Sequence, residues 1–598
     1  MIPGSEEHLR LLETARGERP ADLVVRGGTV ANVYSGEFLP GDVAVVGGHV
    51  AYVGNREGDV GDETEVIDAS GMTVAPGYIE AHNHPWAMYN PSSLIEGVLP
   101  LGTTTLVADN LFFFMQMGVD GLSAMMDDLR DAPLDYLWVA RLVSQAKFHG
   151  EREMFAPEKV SRLLDRDDVI GTAEVTRWTA LASGDADVLA GIAEAKRRGK
   201  NSDGHTGGAS EARLPALVAA GIDADHEAIN KDELLHRLRF GLWTMMRQSS
   251  LRPDLPELLR AVTEDDADTR RLIMTTDGPS PEYVAENGFV DGMLRVAGES
   301  GVSPMAALQM VTINPATWLG RDHETGGLAP GRRANIVLLP NLETFRPETV
   351  VSGGKVVAKG GKLLAELPRL RWDAYGARPT FASNLPFGDP DFYPPRADGG
   401  IGSEVEMPTM KYKATVITGR EDVVFPVEGG RVVASGGETA TVIYAALVDR
   451  GGEWVSRGLV SGFADGVEGF ASTYNNTTHL LVAGREPEAM ALAATRVRGM
   501  DGGIAVVEGG EVVFEFPLTV CGMMSRGSFE ENVEANRRLS AEMKKRGYPF
   551  HDIVYSLLFF TCDFLPSIRL TPLGVIEVKT GDVLSPSEAI PGGENRGS

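Results

Sequence analysis

The segment Pro76-Gly77-Tyr78-Ile79-Glu80-Ala81-His82-Asn83-His84 carries the sharpest chemical signal in the chain. His82 and His84 lie two apart, so on an extended strand both imidazoles leave one face and can grip one metal ion. Three more candidate ligands follow: Glu174 at the end of VIGTAE, His205 in NSDGH and His226 in GIDADHE. Asp277 closes the apolar run LIMTTD ahead of Gly278-Pro279. Neutral imidazole and carboxylate suit a divalent first-row metal, and a glutamate among several histidines has two oxygens with which to bridge two ions. Taken singly, His205 and His226 read as ordinary loop or core histidines, and Glu174 and Asp277 as cap or turn residues. Their conjunction carries the chemistry.

Bringing six such side chains together requires a scaffold that presents strand ends on one face. Between residues 76 and 323 the chain offers eight candidate strands, each followed by a helix-like stretch, ending near His84, Asn110, Leu142, Glu174, His205, His226, Ser249 and Asp277. Repeated β-then-α order favours a parallel sheet, and the span is close to the ~250 residues of a (β/α)8 barrel. Active sites of such barrels lie at the C-terminal ends of the strands, where all six candidates fall. Two of the helices are readable. Val188, Leu189 and Ile192 share one face, and Ser210 is placed to cap a segment carrying Leu214, Leu217 and Val218.

The barrel is flanked by other modules. Asp22–Gly54 and Arg332–Gly361 both read as Val-rich strands broken by Gly-rich turns. Residues 1–75 with 324–376 are therefore expected to form one composite β-sandwich, with the barrel inserted. Residues 377–406, with five prolines between Pro379 and Pro395, read as a linker. Residues 407–584 alternate strands and helices, with a helix near Glu486–Arg498 and a hairpin turning at Gly509-Gly510, and are expected to form a separate α/β domain. Residues 585–598 have the composition of a tail. The fold class is α/β: a distorted TIM-type barrel in a small β-sandwich, plus a C-terminal domain.

Composition narrows the function. A chain of 598 residues suggests about two to four domains. Its 84 Asp+Glu against 56 Lys+Arg give a net charge of −28, which repels nucleic-acid backbones and anionic membranes. Only Cys521 and Cys562 occur, so no disulfide framework or zinc-knuckle spacing exists, and both read as small core residues. With no signal-peptide pattern at the start and no long apolar run, a cytoplasmic location is expected.

Several motifs resemble the amidohydrolase superfamily, and the bacterial adenine deaminases in particular. These are PGYIEAHNHP, GTTTLVADN, the Glu174 segment, DGHTGG, DADHE, VTINPATWLG and GGLAPGRRANIVLLP. The likeness resumes in GLVSGFADGVEGFAST, GGIAVVEGGEVVFEFPL and CGMMS, which are similar to the C-terminal domain of those deaminases. The resemblance implies a metal-dependent hydrolase acting on C–N bonds in purine metabolism, converting adenine and water to hypoxanthine and ammonia. It implies that His82 and His84 hold one ion, Glu174 bridges to a second held by His205 and His226, and Asp277 touches metal and shuttles the proton. It implies Mn2+ or Fe2+, although ligand type alone also permits Zn2+. A homo-oligomer is implied as well.

This chain departs from the family around that core. Pro85-Trp86-Ala87-Met88 stands where an acidic residue usually follows the paired histidines, and Asp109-Asn110-Leu111-Phe112 stands for Asp-Pro-His-Glu. Asn476-Thr477-Thr478-His479 replaces a His-Asp-Ser-His stretch. Trp86, Asp109, Arg177 and His479 are the candidate substrate contacts for a planar heterocycle, with Trp178, Arg247, Arg252 and Phe112–Phe114 further possible lining or packing residues. Two other readings stay open: hydrolysis of a different cyclic amide or modified purine, and a non-catalytic binding protein on the same fold.

Overall fold

The computed structural model describes residues 4–56, 58–397, 403–434 and 441–591. Its centre is an eight-stranded sheet of Tyr78–Asn83, Thr103–Asp109, Asp135–Ala140, Val169–Val175, Asn201–Gly204, Ala224–Asp225, Trp243–Arg247 and Leu272–Thr275. The strands follow chain order and every pair is parallel. Each ends within two residues of the position expected from sequence. The first, second and fourth strands are buried along their whole length, as strands covered on both faces must be. Ile79, Val107, Val139, Ile170, Met245 and Ile273 fill the interior, closed at one end by Trp318 and Leu319.

Side chains complete the seam between the first and last barrel strands. Thr275 Oγ1 donates to Glu80 Oε1 at 2.6 Å and to the His82 carbonyl at 2.7 Å. The Thr276 amide and hydroxyl donate to Glu80 Oε2 at 2.9 and 2.7 Å. Burial pushes the Glu80 carboxyl up, against these donors, which favour its charged form. This buried carboxylate ties the strand that bears His82 to the strand that precedes Asp277.

The two flanking β pieces join in one nine-stranded sheet. Thr73–Pro76 pairs antiparallel with Ile336–Leu339 across the barrel insertion, and Val25, Val43, Val74, Ile336 and Val351 share its core. The helix Ala186–Arg197 buries Val188 and Ile192, with Leu189 half-buried beside them. Ser210 does not cap the next helix. That helix is Leu214–Ala219 with Pro215 in its first turn, and the Ser210 carbonyl instead accepts from the Arg213 and Leu214 amides in a preceding turn.

Residues 377–406 are packed rather than extended as a linker, apart from 398–402, which lie outside the described residues. Leu385, Phe387, Phe392 and Tyr393 are buried in a core with Phe425, Val442 and Val482, because four large apolar side chains outweigh the Pro-rich composition. C-terminal to them, a mostly antiparallel ten-stranded sheet carries the helix Pro487–Gly499, and a hairpin turns at Gly509-Gly510 between Gly503–Glu508 and Glu511–Pro517. The segment expected as a tail is also used: Glu588–Ala589 pairs with Trp454–Val455, and residues 592–598 lie outside the described residues.

The C-terminal region is not separate in its packing. One continuous apolar core holds Trp86, Tyr89 and Phe112 of the barrel together with Tyr474, Met524, Tyr555 and Leu557. Cys521 and Cys562 are both buried. Among the described residues no helix is long and apolar enough to cross a membrane.

Candidate metal centre

The barrel brings all six candidate residues to one mouth. His82 and His84 leave the end of the first strand with Nε2 atoms 3.3 Å apart, and Asp277 Oδ1 lies 3.1 Å from each. Across the mouth, His205 Nδ1 and His226 Nε2 are 3.3 Å apart. Glu174 Oε2 lies 2.8 Å from the first and 3.3 Å from the second, while Glu174 Oε1 is 3.6 Å from His84 Nε2. Glu174 therefore stands between the two histidine pairs. Nitrogen lone pairs this close need a shared cation or proton, and four imidazoles with three-way carboxylate contacts fit divalent metal. His82, Glu174 and His226 also have ligand atoms within reach of a common point.

Local backbone helps to aim these groups. Asp277 adopts φ 56°, a left-handed conformation uncommon for a residue with Cβ. Gly278 follows at φ 73°, and a Cβ there would lie 2.9 Å from the His84 backbone nitrogen. Only glycine lets the turn after the eighth strand approach the first strand so closely.

The electrostatics follow from buried partners. Burial disfavours a charged His84, yet hydrogen bonds to Asp109 and Asp277 and the nearby Glu174 outweigh it and raise the imidazole to about 9. Burial opposes the same change at His82, where Asp203 and Asp277 hold the imidazole well above its usual value. Burial works to raise the Glu174 carboxyl, but His205 and Arg141 hold it well below the carboxylate range. Against the same burial, Arg247, His82 and His84 keep Asp277 ionised. Glu174 and Asp277 thus stay ionised among the histidines, and each carboxylate offers negative oxygens that a proton or a metal cation on the imidazoles can balance.

A ring of supporting residues holds the six in place; Asp109, Arg247 and Arg252 were expected near the pocket, whereas Asp203, Arg141 and Glu227 were not singled out in the sequence. Asp203 Oδ2 takes His82 Nδ1 at 2.6 Å, fixing which nitrogen faces the mouth. Arg141, fully buried at the end of the third strand, donates to Glu174 Oε1 at 2.7 Å and to Asp109 Oδ1 at 3.0 Å. Arg247 Nη1 reaches Asp277 Oδ2 at 2.7 Å and Glu227 Oε1 at 2.9 Å. Glu227 Oε1 is itself 3.6 Å from both His205 and His226, and Arg252 donates to its other oxygen at 2.9 Å. Position at or just past a strand end was the available signal for Arg141 and Glu227.

The candidate substrate contacts fare differently. Asp109 is tied to Arg141 and lies 3.4 Å from His84 Nδ1, so its observed contacts orient a histidine. Trp86 is 1% exposed and packs edge-on against Phe112, with its ring 5.1 Å from that of His84. Phe112, Phe113 and Phe114 are core. Arg177 pairs with Glu151 and faces a cavity of about 710 Å³ between the helix Ala186–Arg197 and the C-terminal strands, lined by none of the four histidines. Trp178 donates to the Gly207 carbonyl at 3.0 Å. His479 is not brought to the mouth: it contacts Asp449 at 3.2 Å and packs on Trp454, and burial lowers its imidazole to about 4.

A parallel eight-stranded barrel with histidines and carboxylates gathered at its strand ends defines an amidohydrolase-type site. Residues 73–357 match the amidohydrolase family, which implies divalent metal binding, and residues 415–582 match the adenine deaminase C-terminal domain. A putative adenine deaminase of Halalkalibacterium halodurans is 32% identical over 579 residues, covering 96% of this chain and 97% of that protein. The adenine deaminases of Rubrobacter xylanophilus and Paracoccus denitrificans are 36% and 33% identical, each over at least 95% of both chains. Among solved structures, a β-aspartyl dipeptidase from Fervidobacterium islandicum AW-1 gives a TM-score of 0.46 at 18% identity, over 58% of this chain and 99% of that one. With such identity along nearly its whole length, the chain belongs to the adenine deaminase family.

Proposed function

We propose that the chain is an adenine deaminase, converting adenine and water to hypoxanthine and ammonia with two divalent ions, Mn2+ or Fe2+ in preference to Zn2+. The observation that carries this reading is the convergence of His82, His84, Glu174, His205, His226 and Asp277 at one barrel mouth, in a chain related end to end to adenine deaminases. His82 and His84 would hold one ion together with Asp277. His205 and His226 would hold the other, with Glu174 between the two. Bound ions supply the Lewis acidity that makes water nucleophilic at neutral pH.

The remaining chemistry belongs to the side chains. Water adds at C6 of the ring, and Asp277 accepts the proton it releases. Asp277 delivers that proton to ring nitrogen N1, then takes the proton of the new C6 hydroxyl and passes it to the departing amine, as general base and general acid in turn. Arg247 supports this role by holding Asp277 ionised before attack. Collapse of the tetrahedral carbon expels ammonia and leaves the oxo-purine.

Replacing Asp277 by Asn tests the assignment. Turnover should fall about 10²–10⁴-fold, the usual size of a general acid–base contribution, while bound metal, measured by elemental analysis, is retained. Near-normal turnover with metal in place would make the proton-shuttle role wrong. A panel of purines and cyclic ureides, run beside adenine, separates this reading from hydrolysis of another cyclic amide.

A further inference from the structure

The C-terminal domain lays one segment directly across the barrel mouth. At one end, Tyr555 Oη donates to the carbonyls of Asp277 and Gly278 at 3.0 and 2.5 Å. At the other, the Asp563 amide donates to the Gln145 carbonyl at 3.1 Å, and Asp563 Oδ2 accepts from the Lys147 amide at 2.7 Å. Asn476 Nδ2 reaches the same Gln145 carbonyl at 3.0 Å. The Gln145 side chain in turn lies 3.3 Å from Glu174 Oε1. Residues 555–563 are therefore strapped from the eighth barrel strand to the loop after the third.

Two aromatic rings of this strap region are left incompletely covered. Phe559 and Phe564 are half-buried, whereas residues 552–558 and 560–562 are fully buried. The Phe564 ring stands edge-to-face against His205 at 5.4 Å, and Phe559 stands against Phe564 at 5.7 Å. Exposure of the cluster is uneven in the same sense. The His205 and His84 side chains keep 15% and 12% of their surface, against 6% for His82 and none for His226. Phe564 thus touches the more open histidine pair member, while the barrel's own aromatics, Trp86 and Phe112, are sealed in the core.

Resting on the adenine-deaminase reading above, we propose that Phe564, backed by Phe559, is a substrate-positioning residue that supplies the aromatic wall of the substrate pocket. A planar heterocycle then lies between the histidine cluster and the C-terminal domain, and that domain is part of the active site. Stacking on an aromatic face tolerates any flat ring and adds affinity without chemistry.

The test uses full-length, metal-loaded protein with Phe564→Ala, Phe564→Leu and Phe564→Tyr. The Ala and Leu variants should raise KM for adenine about tenfold or more, with kcat within threefold and metal content unchanged, and Tyr should restore the parental KM. The Leu variant retains apolar bulk, so it remains informative if the Ala variant does not fold. A folded, metal-loaded Leu variant with KM within twofold of the parent overturns the proposal. If the parent does not turn over adenine, that reading has failed, and binding of adenine, hypoxanthine, uracil and hydantoin by calorimetry decides the wall. Binding of any of these rings that weakens tenfold in the Leu variant supports it; equal binding, or none by the parent, overturns it.

Discussion

At the scale of single residues, the site is a set of charges that only make sense together. Arg247 joins Asp277 and Glu227, one carboxylate beside each histidine pair. Arg247→Met should therefore lower kcat at least tenfold and destabilise the fold by about 3–5 kcal/mol, the usual cost of stripping a buried ion pair of one partner. Thermal unfolding and initial rates measured on one preparation check both parts. The histidines, Glu174 and Asp277 were legible in sequence because each stands at the end of a candidate strand that is followed by a helix-like stretch. Asp203, Arg141 and Glu227 were not, since their meaning depends on which side chain the neighbouring strand presents at the same height. Arg141 meets Glu174, 33 residues away, only once two parallel strands are in register. Trp86 misled for the complementary reason: an aromatic beside the paired histidines has the right type for stacking, but packing against Phe112 decides its exposure.

At the scale of elements, the barrel was readable because eight short, bounded strand candidates alternate with helix-like stretches. Its closure was not. The first and last strands are tied by Glu80, Thr275 and Thr276, residues that look unremarkable in sequence and act only across the seam. The turn that follows has equally strict demands. Gly278→Ala would place a methyl against the His84 backbone in a left-handed conformation, so it should displace His84. Metal content and turnover are expected to fall together in this variant, whereas in Asp277→Asn turnover falls with metal retained. Equal metal content in Gly278→Ala and the parent would show that the close approach is dispensable. The Pro-rich stretch after residue 376 shows the limit of composition: five prolines suggested an open linker, but Phe387, Phe392 and Tyr393 had a sheet to cover.

At the scale of the whole molecule, barrel and C-terminal domain share one apolar core and one set of hydrogen bonds across the mouth. Their boundary is visible in sequence as a change of pattern, yet their packing is not, because Tyr474, Met524 and Tyr555 give no sign of which neighbour they will bury against. A chain ending at residue 376 would expose the barrel side of that core. It should be recovered mainly as aggregate, or unfold well below the full-length protein, while the full chain should unfold in one calorimetric transition. Two well-separated transitions in the full chain would contradict the shared core. The central claim, that this mouth deaminates adenine, is tested most directly by release of ammonia and hypoxanthine from adenine by protein produced with added manganese, beside His82→Ala. Release by the parent and its loss in the variant are expected; no release from parent protein that carries its metal would contradict adenine as the substrate.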